Sequence, residues 1–302
     1  MLTTGTHGSG RSEISLTLLE SVRTSAIVDC PPSRKAVLSW NTHSPRGELS
    51  FRVLSNGRPV SDWLLHSTWS PGERRSFSPQ DDGVRVQTDV ITAERPFNAV
   101  CVHAHDVYFD ALAVATPPHR AAPPKPARAT MELAVPARSQ YVVEGEREWC
   151  SAASLSMLHS YYGKTAEVGE VAREVLDYAY NSTGNWSFNV AYSGRIGLRG
   201  LVVYLRDLSH AADLIDAGIP LALSYGWNAD ELPGAPLEHS QGHLAVLRGF
   251  NSSGDPLLND PASPTLQSVY ERNAFERVWL RSGAVAYVVT PPSTEILSFI
   301  NG

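Results

Sequence analysis

Five prolines, Pro117, Pro118, Pro123, Pro124 and Pro126, fall within ten residues of the stretch TPPHRAAPPKPAR, residues 116–128. Each lacks an amide donor and restrains the residue before it, so neither a helix nor a central strand can run through this stretch. A chain of 302 residues is long enough for two hydrophobic cores. A semi-rigid extended spacer would divide it at this point. The expected organisation is a first domain over residues 1–116, a Pro-rich linker over 117–128 and a second domain over 129–302.

The two sides of the linker differ in hydrophobic period. Before it, short apolar runs (ISLTLLE, AVLSW, LSFRVL, DWLLHSTW, VRVQTDV, NAVCVHAHD, ALAVAT) are separated by turn clusters such as PPS, SPRG, SNGRP, SPGE and QDDG. Many short strands without a helix predict an antiparallel β-sandwich, jelly-roll-like in topology. Such an accessory domain would suit a glycan or peptide ligand. Trp40, Trp63 and Trp69 could form a sugar platform, although sandwich core is the default for them.

After the linker, helical spacing appears at residues 151–162, closed by Gly163, then at 168–180, and at 209–218 between Ser209 and Gly218. Three strand-like runs follow, IPLALSYGW, HLAVLRGF and PLLNDPA, the last two joined by the hairpin loop NSSGD. NAFERVWLRSG reads as a helix and AVAYVVT as a strand. Helices first and an antiparallel sheet afterwards is an α+β layout. The aromatic, glycine-containing stretch YNSTGNWSFNVAYSGRIG reads as a loop, lining a groove or simply crossing the surface.

Composition excludes several classes of function. The chain has 25 Lys+Arg against 31 Asp+Glu, a net charge of −6. That leaves no basic footprint for nucleic acid and no attraction to an anionic membrane. The first residues, MLTTGTHGSGRSE, have neither the basic start nor the apolar core of a secretory signal. The expectation is a cytoplasmic protein if this is the full precursor and a secreted one if a signal was trimmed. Three cysteines, Cys30, Cys101 and Cys150, lack the close spacing of a disulfide framework or zinc site. Cys30 and Cys101 could bridge in an oxidising compartment, or be buried small hydrophobes in a reducing one.

The chemistry centres on Cys150, directly before the helical pattern 151–162. Backbone N–H groups and the macrodipole at a helix N-terminus stabilise an anion, and thiolate is the nucleophilic form of cysteine. His243, preceded by Gly242, opens the strand HLAVLRGF and is the candidate base. Asp260 ends the neighbouring strand, where hairpin pairing would bring it near His243 to orient the imidazole. Asn259 competes for that role, and because side chains alternate along a strand only one of the two can face His243. Gln140, in VPARSQ, could add its amide to the Cys150 backbone N–H as an oxyanion hole. Other clusters read more plainly. HSQGH, with His239 and His243, lacks the glutamate and helix of a zinc motif. His103, His105 and Asp106 fit a polar strand face. His159 follows Cys150 by nine residues and points away from it.

VPARSQ, WCSAASLSMLHSYYG, GHLAVLRGF and NDPA resemble the motifs of bacterial papain-like cysteine peptidases. The likeness is to the double-glycine, bacteriocin-processing type (cysteine peptidase family thirty-nine) and its stand-alone relatives without a transporter. It spans residues 131–291. The resemblance implies Cys150 as nucleophile, His243 as general base, Asp260 rather than Asn259 as its orienter, and Gln140 as oxyanion-hole residue. Many relatives carry Gly-Pro after the cysteine, where this chain has Ser151-Ala152. The implied activity is hydrolysis of a peptide or amide bond in a peptide or protein substrate through a Cys thioester, with no metal or organic cofactor. The same residues would serve a thiol acyltransferase. The alternative from another class is a catalytically silent protein that binds peptide or carbohydrate. A truncated chain starting near Arg128 is expected to fold and remain active.

Overall fold

The computed structural model describes residues 3–4, 15–81, 83–118, 127–143 and 149–301. In chain order the first half holds β1 (Thr3–Thr4), β2 (Leu16–Asn41), β3 (Gly47–Ser55), β4 (Arg58–Pro59), β5 (Leu64–Ser70), β6 (Glu73–Ser76), β7 (Gln80–Asp81), β8 (Val84–Gln87) and β9 (Val90–Ala115). The second half holds α1 (Cys150–Tyr161), α2 (Val168–Val175), α3 (Trp186–Arg195), β10 (Arg199–Tyr204), α4 (Leu208–Asp216), β11 (Leu221–Trp227), β12 (Ser240–Phe250), β13 (Pro256–Asn259), β14 (Gln267–Val269), α5 (Arg272–Arg281), β15 (Val285–Thr290) and α6 (Leu297–Ile300). Mixed α and β structure with large antiparallel sheets agrees with the α+β class.

Two compact units emerge. The first comprises Met1–His119, Val175–Val203 and Pro292–Gly302; the second comprises Arg120–Glu174 and Tyr204–Pro291. The first unit thus takes two segments from the span 129–302. Of the linker, residues 119–126 lie outside the described residues, and residues 116–118 and 127–128 carry no regular structure.

In the first unit, strands expected to be short and separate run together. Residues 16–20 and the run AVLSW both belong to β2, and NAVCVHAHD and residues 111–115 both belong to β9, each strand 26 residues long. The PPS cluster, Pro31 to Ser33, does not end β2. It falls where the pairing with β9 shifts register between Asp29 and Ser33, a bulge that accommodates the missing proline donors. Bulged long strands curl. Residues 111–115 of β9 pair with residues 16–20 of β2 on one edge and 37–41 on the other. The result is one nine-stranded sheet wrapped around a core that includes Trp40, Phe51, Phe97 and Phe109. Trp69 stacks on Trp40 at 5.7 Å, whereas Trp63 is 45% exposed beneath the Arg52 guanidinium. Cys30 and Cys101 are free thiols in separate core clusters. Burial, and then the nearby Asp29, push the Cys30 thiol up to about 12.

The stretch YNSTGNWSFNVAYSGRIG, expected as a loop, contains α3. Asn185 caps it by accepting from the Phe188 N–H at 3.0 Å, and Asp89 accepts from the N–H groups of Trp186 and Ser187 at 3.0 and 3.4 Å. Phe188 enters the core of the first unit, and Ser187 donates to the Leu38 carbonyl. Tertiary anchoring therefore holds a helix that its weak local pattern does not announce. The helix expected at 168–180 is shorter, ending at Val175, because Asp177 pairs with Ser182 in an isolated bridge.

In the second unit β15, β11, β12, β13 and β14 lie side by side, antiparallel at every step. This alternation puts Leu223, Tyr225, Ala245 and Leu247 in the interior. Residues 130–140 carry no strand of their own but follow the sheet. The Thr130 N–H donates to the Phe250 carbonyl at 3.2 Å and the Leu133 N–H to the Arg248 carbonyl at 2.7 Å. Arg248 also pairs with Glu132, and Arg128 with Asp213 and Asp216.

Candidate active site

Cys150 is the first residue of α1, and no side chain caps that end. Its early N–H groups have no partner within the helix and face whatever anion occupies the helix start. The next residues, Ser151, Ala152, Ala153 and Ser154, are small and fully buried, so the helix can lie close against the sheet. One turn beyond Cys150, the Ser154 hydroxyl donates to the Leu244 carbonyl at 3.1 Å. That bond ties the Cys150 end of α1 to the residue beside His243.

His243 sits on β12 at 2% exposure, directly across from Tyr225 on β11. The hairpin register decides which neighbour reaches it. Asn259 is paired with Val246, which points away from the His243 face, so the following residue falls on the face of Ala245 and His243. Accordingly the His243 Nε2–H donates to Asp260 Oδ1 at 2.8 Å. Asn259 instead donates to the Val135 carbonyl at 2.8 Å and helps hold residues 130–140. Asp260 accepts further bonds from the Ala262 N–H at 3.0 Å on Oδ1 and from the Tyr270 hydroxyl at 3.2 Å on Oδ2.

The Cys150 side chain interacts with the same imidazole. With Nε2 committed to Asp260, Nδ1 is the nitrogen left for sulfur. Burial disfavours a charge on His243. The interactions with Asp260 and Cys150 outweigh it and raise the imidazole to about 10. Burial likewise disfavours the Asp260 carboxylate, but the His243 bond and charge, with the Ala262 and Tyr270 bonds, hold it below its ordinary value. Both shifts favour the charged forms of the pair, imidazolium and carboxylate.

Gln140 is 3% exposed, and its backbone N–H donates to the Pro261 carbonyl at 3.0 Å. The bond places it beside the residue that follows Asp260. His243 is thus bonded to Asp260 and interacts with Cys150, and Gln140 is attached through the Asp260 loop. His159 is buried on α1, where desolvation lowers its imidazole to about 3. His103 bonds the Ser25 hydroxyl at 2.7 Å, and His105 lies 3.1 Å from Asp106. Among the described residues no group of three or more His, Cys, Asp or Glu could hold a metal ion, and no helix is long and apolar enough to cross a membrane.

An aromatic wall not foreseen from sequence surrounds the imidazole. Tyr225 and Trp227 meet it edge-on at 5.5 and 5.7 Å, and stack on each other at 5.4 Å. Their signal was present as alternation in IPLALSYGW, which puts both on one face of β11. Tyr270, between β14 and α5, carries no such periodic signal.

A half-buried thiol beside a buried imidazole–carboxylate pair, at a helix start against an antiparallel sheet, is an arrangement suited to thiol chemistry. Residues 132–287 match the sequence model of the Peptidase_C39 like family, and the chain belongs to that family. Two solved structures are similar to it. One is described as a C39-like peptidase from Bacillus anthracis, 16% identical, with a TM-score of 0.44, covering 55% of this chain and 100% of that one. The other is a double glycine motif protease from an AMS/PCAT transporter in complex with its leader peptide. It is 20% identical, with a TM-score of 0.39, covering 54% of this chain and 98% of that one. Curated proteins include no match to the chain.

Proposed function

We propose that the protein is a cysteine peptidase or amidase acting on a peptide or protein substrate. The observation that carries this reading is a single imidazole, His243, bonded to the Asp260 carboxylate and interacting with the Cys150 side chain. Family membership supports it independently.

In the proposed cycle the Cys150 Sγ, its proton transferred to His243, attacks the substrate carbonyl carbon. The carbonyl oxygen becomes an oxyanion that accepts from the Cys150 backbone N–H and the Gln140 side-chain amide. The carbon–nitrogen bond then breaks, and His243 gives its proton to the leaving amine, leaving a thioester on Cys150. A water molecule gives a proton to His243 and attacks the thioester; the carbon–sulfur bond breaks, which regenerates the Cys150 thiolate and releases the acid product. Asp260 stays a carboxylate throughout, fixing the ring and offsetting its charge.

Alkylation by iodoacetamide, located by mass spectrometry, tests the array without knowledge of the substrate. Cys150 should be modified much faster than Cys30 and Cys101, and His243→Ala should slow it at neutral pH by at least about ten-fold. Equal rates at the three thiols, or no effect of His243→Ala, would contradict the proposal.

A further inference from the structure

Resting on the cysteine-peptidase reading, we infer that Tyr270 is a positioning residue of the reaction: its hydroxyl locks the second oxygen of Asp260 and so holds His243 in line with Cys150. A carboxylate held only through Oδ1 can swing about its Cβ–Cγ bond, and the imidazole it orients swings with it. Here Oδ1 receives His243 and the Ala262 N–H, and Oδ2 receives Tyr270. The plane of the carboxylate is fixed from both ends.

The hydroxyl is itself rigidly placed. Tyr270 is 1% exposed, and its ring stacks on Phe275 at 5.6 Å with 8° between the planes. Phe275 belongs to α5, whose start is fixed by Glu271 accepting from the N–H groups of Asn273 and Ala274 at 2.9 and 2.7 Å. The residue next to Tyr270 therefore caps the helix that carries its stacking partner. Tyr270 is thus set by a helix rather than by a free loop, as a residue that must hold a geometry needs to be.

The titratable groups around Asp260 are few. His243 faces it from β12, Tyr225 from β11 and Tyr270 from the β14–α5 connection; Cys150 of α1 lies beyond the imidazole. Burial, the first cause, raises both phenols above their ordinary value, so they stay protonated. Tyr270 can then act as a donor throughout the range in which the His243–Asp260 pair forms. Losing that donor makes Asp260 take up a proton at higher pH, and the imidazolium then loses its counter-charge.

The test is Tyr270→Phe in the full chain, which keeps the ring and its stacking and deletes one oxygen. The rate of Cys150 alkylation by iodoacetamide is followed against pH, and cleavage of a peptide found by library screening is resolved into kcat and KM. Cys150→Ala runs alongside. The expected result is an acid limb of alkylation moved upward by a few tenths to one pH unit, with kcat lowered about ten-fold and KM unchanged. An alkylation profile that superimposes on the wild type, or a raised KM with unchanged kcat, would overturn the role of Tyr270. Undiminished cleavage by Cys150→Ala would instead remove the cysteine-peptidase reading and this inference with it. Should Tyr270→Phe fold poorly, Phe275→Leu, which keeps the hydroxyl but loosens its stacking support, gives a second reading. A smaller upward shift of the same limb supports the role, and no shift contradicts it.

Discussion

At the scale of single residues, the choice between Asn259 and Asp260 shows how backbone register becomes chemistry. One residue of shift along β13 would have turned a carboxamide, not a carboxylate, toward His243. Replacing Asp260 by alanine should lower kcat/KM by roughly 10²–10⁴-fold, since the loss is ring orientation and counter-charge. The pH profile separates this from a packing defect. His243 is raised to about 10 despite its burial, and the Asp260 bond leads the causes that raise it. Stability from this charge is full below pH ~6.5 and is lost as pH climbs toward 10. The depressed Asp260 contributes stability above its ordinary range and loses it as pH falls. In Asp260→Ala the alkaline limb of activity should therefore move to lower pH, which a kcat/KM profile would read. Asn259→Ala should behave differently. It removes a buried bond to Val135, lowering stability by about 1 kcal/mol in urea unfolding, while the pH limbs of activity stay in place.

At the scale of elements, the β12–β13 hairpin and α1 were legible because their signals are local. Period-two apolar runs flank NSSGD, and a 3.6-residue apolar pattern follows Cys150. α3 was not legible, and Gly194 explains much of that. A glycine in a polar, aromatic stretch reads as a loop signal, but here it is a packing glycine in the last turn of a helix. A Cβ at Gly194 would stand 2.5 Å from the Cβ of Asn41 on β2. Asn41 cannot retreat easily, because its side chain bonds the Val190 and Gly200 carbonyls at 3.1 and 3.0 Å. Gly194→Ala should accordingly destabilise the first unit by about 1–3 kcal/mol, despite alanine's better helix propensity. A fall in Tm would check it; a rise, as propensity alone predicts, would mean the contact is not tight. The long strand β2 was missed for a related reason. A proline pair normally ends a strand, and nothing local tells a terminating pair from one carried on a bulge.

At the scale of the whole molecule, proline density points to a division near residues 117–128, and the first compact unit also takes in Val175–Val203 and Pro292–Gly302. α3 owes its start to Asp89 and its buried face to the core of the β2–β9 sheet. The C-terminal segment is stapled to the same unit, where Asn301 Oδ1 accepts from the N–H groups of Ser15 and Leu16 at 2.8 and 3.0 Å. A truncated chain beginning at residue 129 would strip both segments of their partners and bare Phe188. It is expected to be aggregated or only partly folded, in contrast to the separable domain that the linker suggests; sedimentation and circular dichroism would check this. The most direct measurement of the central claim is cleavage of a peptide library by the intact chain beside its Cys150→Ala counterpart. The account predicts defined cleavage products from the first and none from the second, with both equally folded. The same products from both would contradict it.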